Sequence, residues 1–312
     1  MNIRTLHLKK PAALLLAGCS AMLLAGCGGP AEQPSGGEDQ ELFTFTRENF
    51  PRLNGSTSTV PLAQAICSVL LSENRETVAD LTQFSKTSES YRQLMYGNSD
   101  LLIAAEPAPS VVAELNDAGF SYQMAPFAVE GLVFLVNADN GVDSLTVEQV
   151  QKIYTGEITN WSQVGGADLE IKAFQRNETA GSQTMMQKLV MGDLPMMEAE
   201  KEYVIGEMSG LIEAVRSYDN TSSAIGYSVY YYCKNMNMAD GLKILQIDGV
   251  APGPESFRSG AYPFLNPYYV VMAEDTPEDS PTAILYDWIL SDAGQYLVDR
   301  EGYVSVKDVK ET

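Results

Sequence analysis

Short apolar runs alternate with segments of helical spacing along most of the chain, and this alternation restricts the fold more than any other feature. The apolar runs predict strands at residues 100–105, 127–136 and 169–174. Helical spacing, capping residues and early prolines predict helices at residues 61–71, 88–97, 111–115, 150–154, 184–189 and 281–290. Alternating strands and helices are typical of an α/β fold, and 312 residues are enough for about two domains.

The first 27 residues have the pattern of a secretory leader. Three basic residues precede an apolar stretch from Pro11 to Gly26, which is too short and wrongly flanked for a transmembrane span. The stretch ends in LAGC, which resembles the lipobox of bacterial lipoproteins. We therefore predict a signal peptide at residues 1–26 and a lipidated Cys27 that anchors the chain on the extracytoplasmic face of the cell membrane. The earlier LAGC at Cys19 and a plain signal peptide are the alternatives.

A tether and two cysteines follow the leader. Residues 27–40 are almost all small, polar or proline, so this stretch cannot bury enough apolar surface to fold, and we predict a flexible tether. Cys67 and Cys233 are far apart and have no metal-ligand spacing. They are either two buried thiols or a disulfide, which the exported compartment would permit.

Charge and histidine content exclude several classes of function. Lysine and arginine total 20 against 41 acidic residues, a net charge of -21, so the chain has no basic surface for nucleic acid. The single histidine, His7, lies in the leader. Hydrolases that use a histidine base, histidine-ligated zinc and histidine-ligated haem are therefore not expected. We predict no metal, no cofactor and no catalytic residue.

Two segments share one design, in which a turn rich in glycine, serine and threonine leads directly into a helix. They are Gly55–Pro61 and Thr179–Thr184. Free backbone N–H groups and the positive end of the helix dipole favour anions at such places. Arg176 precedes the second turn and can offer a planar fork of donors to an oxyanion. The alternatives are that the hydroxyls only cap helices and that Arg176 pairs with Glu178 at the surface.

Seven stretches together carry a family resemblance. They are NGSTSTVPLAQAI (54–66), KTSESYRQLMYGNSDLLIAAEP (86–107), PFAVEGLVFLVN (126–137), LTVEQVQKIYTGEITNWSQVGG (145–166), QRNETAGSQTMMQKLV (175–190), GLIEAVRSYDNTSSAIGYSVYYY (210–232) and DWILSDAGQYLVDREGYVSV (287–306). In this order they resemble the phosphate-binding proteins of bacterial ABC transporters, which are type II periplasmic solute-binding proteins. The resemblance is to the lipid-anchored form found in Gram-positive bacteria, and it covers most of residues 50–306.

The resemblance implies an α/β architecture of two lobes with a ligand cleft between them. Lobe I would comprise residues 41–130 and 263–312, and lobe II residues 131–262. The chain would cross between the lobes near Val129–Gly131 and again near Tyr262–Pro267. The implied partners are inorganic phosphate, the permease subunits of an ABC transporter and the membrane that holds the lipid anchor. The protein would act as a monomer.

The resemblance also implies which residues bind the phosphate. They are Ser58, Thr59, Val60, Ser88, Glu106, Arg176, Ala180, Gly181 and Ser182. Thr87 has a supporting role and is an alternative to Ser88, because the register differs by one there. Glu178 would pair with Arg176 and hold its fork in place.

Two of these positions bear on ligand selectivity. Glu106 stands where the family usually has an aspartate, and its carboxylate would accept the proton of hydrogen phosphate. Sulfate has only acceptors and would be repelled there. Ala180 stands where the family usually has a serine, so one side-chain donor is lost, which would weaken binding by ~1–3 kcal/mol or shift the selectivity.

Three other functions remain open from the sequence. The same fold could bind another oxyanion or act as a phosphate sensor. The chain could be an enzyme in which Glu106 and Glu178 serve as acid and base, although no motif supports this. It could also be a structural lipoprotein without a ligand, in which case replacing Arg176 would cause no loss of anion binding.

Overall fold

The computed structural model describes residues 43–218 and 222–306. The leader, the lipidation residue Cys27 and the tether of residues 27–40 lie outside the described residues. Within the described ranges, no helix is both long and apolar enough to cross a bilayer.

The strands are mostly short, and one of them is much longer than the rest. They are β1 (Leu53–Gly55), β2 (Leu101–Ala104), β3 (Tyr122–Asn137), β4 (Ser144–Leu145), β5 (Lys172–Ala173), β6 (Gln175–Arg176), β7 (Val204–Ile205), β8 (Ala224–Val229), β9 (Leu242–Ile244), β10 (Gln246–Ile247), β11 (Leu265–Ala273) and β12 (Val304–Ser305).

The helices alternate with these strands along the chain. They are α1 (Val60–Leu71), α2 (Thr87–Met95), α3 (Pro109–Asp117), α4 (Val147–Thr155), α5 (Gly181–Met185), α6 (Met208–Ser217), α7 (Tyr230–Lys234), α8 (Pro254–Arg258), α9 (Pro281–Leu290) and α10 (Asp292–Arg300). A 3-10 turn at Thr57–Thr59 precedes α1, and a π-helical turn at Met186–Met191 extends α5.

The main sheet is mixed and is organised around β3. Its order is β1-β2-β11-β3-β8-β5, and β9 and β12 also pair with β3. The pairs β1–β2 and β5–β8 are parallel, whereas β11 runs antiparallel to both β2 and β3. The alternation of strands and helices confirms the expected α/β class.

The long strand β3 changes its main partner part-way along its length. From Tyr122 to Gly131 it pairs with β11, and from Leu132 onward it pairs with β8 and β9. The change falls at Gly131, where an added Cβ would lie 2.4 Å from the ring of Phe257. Any side chain at residue 131 would therefore displace the Phe257 ring, by which α8 packs against the strand.

Buried apolar side chains form separate clusters on the two sides of this change. One large cluster is drawn from residues 132–265 with Val304, and it includes Trp161 and Tyr227. A second cluster combines residues 45–128 with residues 268–303, includes Leu62 and Tyr268, and also takes in Tyr231 of α7. Each cluster contains sheet and helix residues, as expected of layered α/β packing.

Local sequence signals located several elements correctly. The sequence TVEQ at residues 146–149 is typical of a capping box, and one forms at the start of α4, where Thr146 Oγ1 accepts from Gln149 N–H and the Gln149 side chain accepts from Thr146 N–H. Pro61 lies in the first turn of α1, as expected. The predicted strand at 169–174 is shorter than expected and is reduced to β5, while the predicted strand at 127–136 extends back to Tyr122 in β3.

The two remaining cysteines are free thiols. Cys67 in α1 and Cys233 in α7 are both buried, and no disulfide joins them. Burial raises the pKa of each thiol to about 12, so both are protonated at neutral pH. The structure thus agrees with the first of the two alternatives for this pair.

Candidate functional site

Three helix starts meet at one cavity of about 360 Å³. They are the 3-10 turn at Thr57–Thr59, the start of α2 at Thr87 and the start of α5 at Gly181. The first N–H groups of a helix have no acceptor within it, so each start directs unbonded donors outward. Of the residues predicted to bind a ligand or support one, seven line the cavity: Ser58, Thr87, Ser88, Arg176, Ala180, Gly181 and Ser182.

Arg176 is buried in the wall of the cavity and is only 5% exposed. Its guanidinium donates to the backbone carbonyls of Ile205 (2.9 Å) and Gly206 (3.0 Å) and to Ser182 Oγ (3.2 Å). A guanidinium has five N–H donors, so two are left for a ligand. Burial removes water from around the Arg176 charge and thereby lowers the pKa of Arg176 from its ordinary value.

Arg176 differs from the other cations of the cavity in forming no ion pair with a carboxylate among the described residues, although the charge of Glu207 acts on it from a longer distance. Lys86 Nζ lies 2.5 Å from Glu207 Oε1, and Arg92 forms ion pairs with Glu89 and Glu114. A buried charge is costly unless it is paired, so the site is electrostatically incomplete without an anion near Arg176.

The first loop presents different residues to the cavity from those that the sequence indicated. Thr59 N–H and Val60 N–H donate to Ser56 O and Thr57 O within the turn, and neither residue lines the cavity. The Thr59 hydroxyl is directed at Ser56 O (2.9 Å) and Ile103 O (2.6 Å). The prediction that Thr59 and Val60 contact the ligand is therefore not supported. Thr57 and Ser58, two residues earlier, line the cavity instead, and as the first residues of the turn their N–H groups have no acceptor within it.

The close packing of this loop on β2 explains its glycine. Gly55 has a φ of 158°, and a Cβ added there would lie 2.0 Å from the carbonyl oxygen of Ile103. No other residue fits at that distance. The absence of a side chain lets the turn at Thr57–Thr59 start directly at the edge of the sheet.

The second helix start contributes hydroxyl groups. Thr87 Oγ1 lies 2.8 Å from Ser56 Oγ, which ties the first two segments together. Ser88 Oγ accepts from Ala108 N–H at 3.1 Å, so its own proton is available to the cavity. Both residues thus lie at the wall, Ser88 as a donor and Thr87 as a link between segments.

The third helix start packs directly against the second. Ala180 is the N-cap of α5, and it has no side chain that could cap the helix. Ser182 Oγ accepts from Arg176, so its proton is also free to donate. A Cβ added at Gly181 would lie 2.5 Å from Thr87 Oγ1, so the two helix starts are in close contact only because residue 181 is glycine.

The two predicted acidic residues lie outside the lining of the cavity. Glu106 accepts from Lys188 Nζ (2.5 Å) and from the Tyr269 hydroxyl (3.1 Å), while its neighbour Ala105 is the residue that lines the cavity. Glu178 is exposed and forms no ion pair with Arg176 in the described part of the chain. The geometry therefore gives neither the expected contact of Glu106 with the ligand nor the expected support of Arg176 by Glu178.

Several lining residues were not identified from the sequence. They include Thr57, Lys86, Asn177, Glu207, Ser209, Tyr232 and Tyr268. Thr57 lies within the quoted serine-threonine run and could have been found there. Tyr268 lies in β11, more than 200 residues from Ser58, and its hydroxyl is 2.6 Å from Ser58 Oγ. Nothing local in the sequence marks that pair.

A comparison with known families decides the classification. A family model described as a PBP superfamily domain matches residues 52–293. The chain belongs to the PBP superfamily. This superfamily assignment, with the matching solved structure below, confirms the expected two-lobed periplasmic-binding-protein architecture.

Individual proteins similar to this PBP superfamily chain carry more specific names. The phosphate-binding protein PstS of Bacillus subtilis (strain 168) is 28% identical over 272 residues, which are 83% of this chain and 82% of that protein. The phosphate-binding protein PstS of Borreliella burgdorferi is 27% identical over 185 residues, which are 58% of this chain and 65% of that protein, slightly under two thirds. A candidate phosphate ABC transporter substrate-binding protein from Clostridium perfringens, solved with bound phosphate, is 25% identical with a TM-score of 0.63, and the match covers 82% of this chain and 98% of that chain.

Proposed function

We propose that this PBP superfamily chain captures inorganic phosphate in the cavity beside Arg176 and delivers it to the permease of an ABC transporter. The observation that carries the proposal is the buried guanidinium of Arg176, which forms no ion pair among the described residues and shares the cavity with three helix starts. An anion with several acceptor oxygens satisfies all of these donors at once. The names of the similar proteins support phosphate and ABC transport.

The proposed ligand contacts follow from the donors that are free. Arg176 would provide its two remaining N–H groups, and Gly181 and Ser182 would provide backbone N–H groups. On the other side of the cavity, Thr57 and Ser58 would provide backbone N–H groups, and Ser88 its hydroxyl. Thr59 and Val60 would hold the turn rather than the ligand. The role requires no catalytic step.

The lobe boundaries are proposed at residues 130/131 and 262/263. The change of partner along β3 at Gly131 and the division of the buried clusters both support this position. With these boundaries, three ion pairs join opposite lobes, namely Lys86–Glu207, Lys188–Glu106 and Arg258–Asp299. The first two would break when the lobes open, so they would favour the closed form that the permease recognises.

The membrane attachment is proposed from the leader alone. Acylation of Cys27 after removal of residues 1–26 would hold a monomer on the extracytoplasmic face of the cell membrane, with residues 27–40 as a tether. Such a position is where a solute receptor can reach a permease. Mass measurement of the mature chain in membranes would show the diacylated cysteine and its residue number.

Titration calorimetry tests the proposed function. The full chain is unfolded and refolded to remove carried-over ligand, and phosphate and sulfate are then titrated separately. We expect phosphate to bind at micromolar or lower Kd and sulfate to bind at least about a hundredfold more weakly, since a site built for a donor on the ligand rejects analogues that lack it.

Other results of the same titrations would favour a different ligand or contradict the site. Two observations, Ala180 at the N-cap of α5 and Glu106 outside the cavity lining, favour a different oxyanion or a phosphate sensor. Binding of sulfate or another oxyanion more tightly than phosphate would replace the proposed ligand. No binding of any oxyanion would contradict the role of Arg176 altogether.

Restoring a serine at residue 180 should strengthen phosphate binding. The backbone at Ala180 is extended (φ -74°, ψ 135°) and already suits an N-cap serine. We expect Ala180→Ser to lower the Kd about fivefold to tenfold, because one hydrogen bond to a charged ligand adds about 1 kcal/mol or more.

Thermal unfolding separates this effect from helix capping. A serine that only caps α5 would raise the melting temperature of the ligand-free chain and leave the Kd unchanged. Ala118→Ser is the matched control, because Ala118 follows α3 and does not line the cavity. An unchanged phosphate Kd in Ala180→Ser would show that the missing hydroxyl is not a deficit of this site.

A further inference from the structure

The buried carboxyl group of Glu130 lies behind the cavity and has no role in the proposed function so far. Glu130 is in β3 beside the partner change at Gly131 and is only 2% exposed. Its carboxylate accepts from Gly131 N–H (2.8 Å), Tyr231 N–H (3.3 Å) and the Tyr268 hydroxyl (3.2 Å). Among the residues that the structure describes, no lysine or arginine forms an ion pair with it.

A short chain of hydrogen bonds connects this carboxyl group to the cavity. The Tyr268 hydroxyl that donates to Glu130 Oε2 is also 2.6 Å from Ser58 Oγ. Tyr268 and Ser58 both line the cavity, whereas Glu130 does not. The chain therefore runs from the cavity wall through Ser58 and Tyr268 to Glu130.

The direction of the protons in this chain follows from the charge of its last member. A carboxylate has no proton, so the single proton of Tyr268 must be directed at Glu130. The Tyr268 oxygen can then only accept from Ser58, which uses the single proton of the Ser58 hydroxyl. What Ser58 Oγ presents to the cavity is a lone pair.

We propose that ionised Glu130, acting through Tyr268, makes Ser58 a hydrogen-bond acceptor at the cavity wall and thereby selects an oxyanion that carries a proton. Glu130 is thus a positioning residue that determines specificity without touching the ligand. The inference rests on the proposed function and adds to it the group that rejects fully deprotonated anions.

This assignment supplies the acceptor that Glu106 does not provide. Hydrogen phosphate can donate its proton to Ser58 Oγ, whereas sulfate has only acceptor oxygens and would face the lone pair. An unpaired polar contact of this kind in a buried site discriminates strongly between ligands of the same shape. No covalent bond changes, and the ligand keeps its proton.

The surroundings of Glu130 make its charge sensitive to pH near neutrality. Burial raises the pKa of Glu130 to about 7, and the hydrogen bonds from Gly131, Tyr231 and Tyr268 partly oppose this rise. The titratable groups that face it from packed elements are Tyr230, Tyr231, Cys233, Tyr268 and Tyr303, and burial raises the pKa of each. They therefore stay neutral while Glu130 titrates.

The charged side chains of the neighbouring segments form no ion pair with Glu130 in the described part of the chain. Arg75 pairs with Glu301, Arg258 pairs with Asp299, and Lys234 is exposed. Since the described residues contain no histidine, Glu130 is the group expected to change charge between pH 6 and pH 8 in this network.

Sulfate provides a probe whose own charge does not change in this range. Above the pKa of Glu130, Ser58 is an acceptor and sulfate is repelled. Below it, the protonated Glu130 can donate to Tyr268, Tyr268 can donate to Ser58, and the Ser58 proton becomes available to the ligand. We expect the full chain to bind sulfate about tenfold more tightly at pH 6 than at pH 8.

Glu130→Gln is the decisive variant. Gly131 N–H fixes the amide oxygen in the place of Oε1, so the amide N–H₂ faces Tyr268 and donates to it at every pH. At pH 8, the ratio of the sulfate Kd to the phosphate Kd should fall at least about tenfold. The dependence of sulfate binding on pH should disappear.

Two further variants separate positioning from a merely structural role. Tyr268→Phe breaks the chain and keeps Glu130, so it should lower the same ratio even if Glu130→Gln does not fold. Tyr303→Phe is the matched control, because the Tyr303 hydroxyl donates to the backbone carbonyl of Ser58 (2.7 Å) and not to its side chain. In Tyr303→Phe, the ratio of the sulfate Kd to the phosphate Kd should stay within about twofold of its value in the unmodified chain.

The results separate this inference from the proposed function. If the unmodified chain prefers phosphate but both Glu130→Gln and Tyr268→Phe keep its selectivity, the inference is wrong and the proposed function stands. An equal loss of affinity for both anions would also overturn it, since that indicates general damage to the site. If the unmodified chain binds neither anion, the proposed function itself fails, and the inference fails with it.

Discussion

Replacing Arg176 with lysine is expected to weaken phosphate binding about a hundredfold, equivalent to ~3 kcal/mol. Lysine keeps the charge but cannot donate to Ile205 O, Gly206 O and Ser182 Oγ while also offering two parallel N–H groups to a ligand. The bidentate contact is therefore lost, and the ammonium ion is left in a site shaped for a planar group. Arg176→Ala should abolish measurable binding, because it removes the charge as well.

Arg216→Lys is a matched control for this prediction. The Arg216 guanidinium also donates to two backbone carbonyls, those of Asp240 and Met238, but it lies outside the cavity and is paired with Glu213. Calorimetry on both variants, with thermal unfolding of the ligand-free chains, separates lost binding from lost stability. A folded Arg176→Lys variant that binds phosphate within about threefold of the unmodified chain would contradict the central role of Arg176.

Structural features that depend only on residues adjacent in the sequence were predicted well. The capping box of α4, the proline in the first turn of α1 and the position of α9 each follow from a few adjacent residues. The meeting of the helix starts and Arg176 at one cavity was predicted in outline for the same reason. Turns rich in small polar residues before a helix, with an arginine nearby, reveal free N–H groups without any knowledge of tertiary structure.

The position of Glu106 could not be predicted because it depends on which way each side chain points. Successive residues of an extended segment point to opposite sides, so an error of one residue exchanges the two faces. Beyond the end of β2, Ala105 lines the cavity and Glu106 contacts Lys188 and Tyr269 instead. The sequence predicted that a carboxylate lies near the site, but it did not predict the direction in which that side chain points.

The chain of hydrogen bonds through Tyr268 could not be predicted because its members meet only through long-range pairing. Tyr268 is in β11, Glu130 is in β3, and the antiparallel register of these strands brings them together across 138 residues. Ser58 joins them from the first loop. Single-sequence patterns contain no information on such a register, so the structure was required to identify Glu130.

An alanine at residue 181 is expected to weaken phosphate binding about tenfold to a hundredfold, by ~1–3 kcal/mol. The added Cβ would lie 2.5 Å from Thr87 Oγ1 and 3.2 Å from Thr87 Cβ, both shorter than ordinary contacts. Thr87 Oγ1 cannot move away freely because it is hydrogen-bonded to Ser56 Oγ. The starts of α2 and α5 must therefore separate, and the donors on the two sides of the cavity would no longer reach one anion together.

A double-mutant cycle with Thr87→Ala tests this steric explanation. Thr87→Ala removes Oγ1 and Cγ2, so in that background Gly181→Ala should cost less than half of the free energy of binding that it costs alone. Gly141→Ala is the control, because an added Cβ there meets nothing within 4 Å and φ at that residue is not positive. If Gly181→Ala weakens binding equally with and without Thr87, the loss comes from the backbone of α5 rather than from contact between the helix starts. In that case the width of the cleft is not set by residue 181.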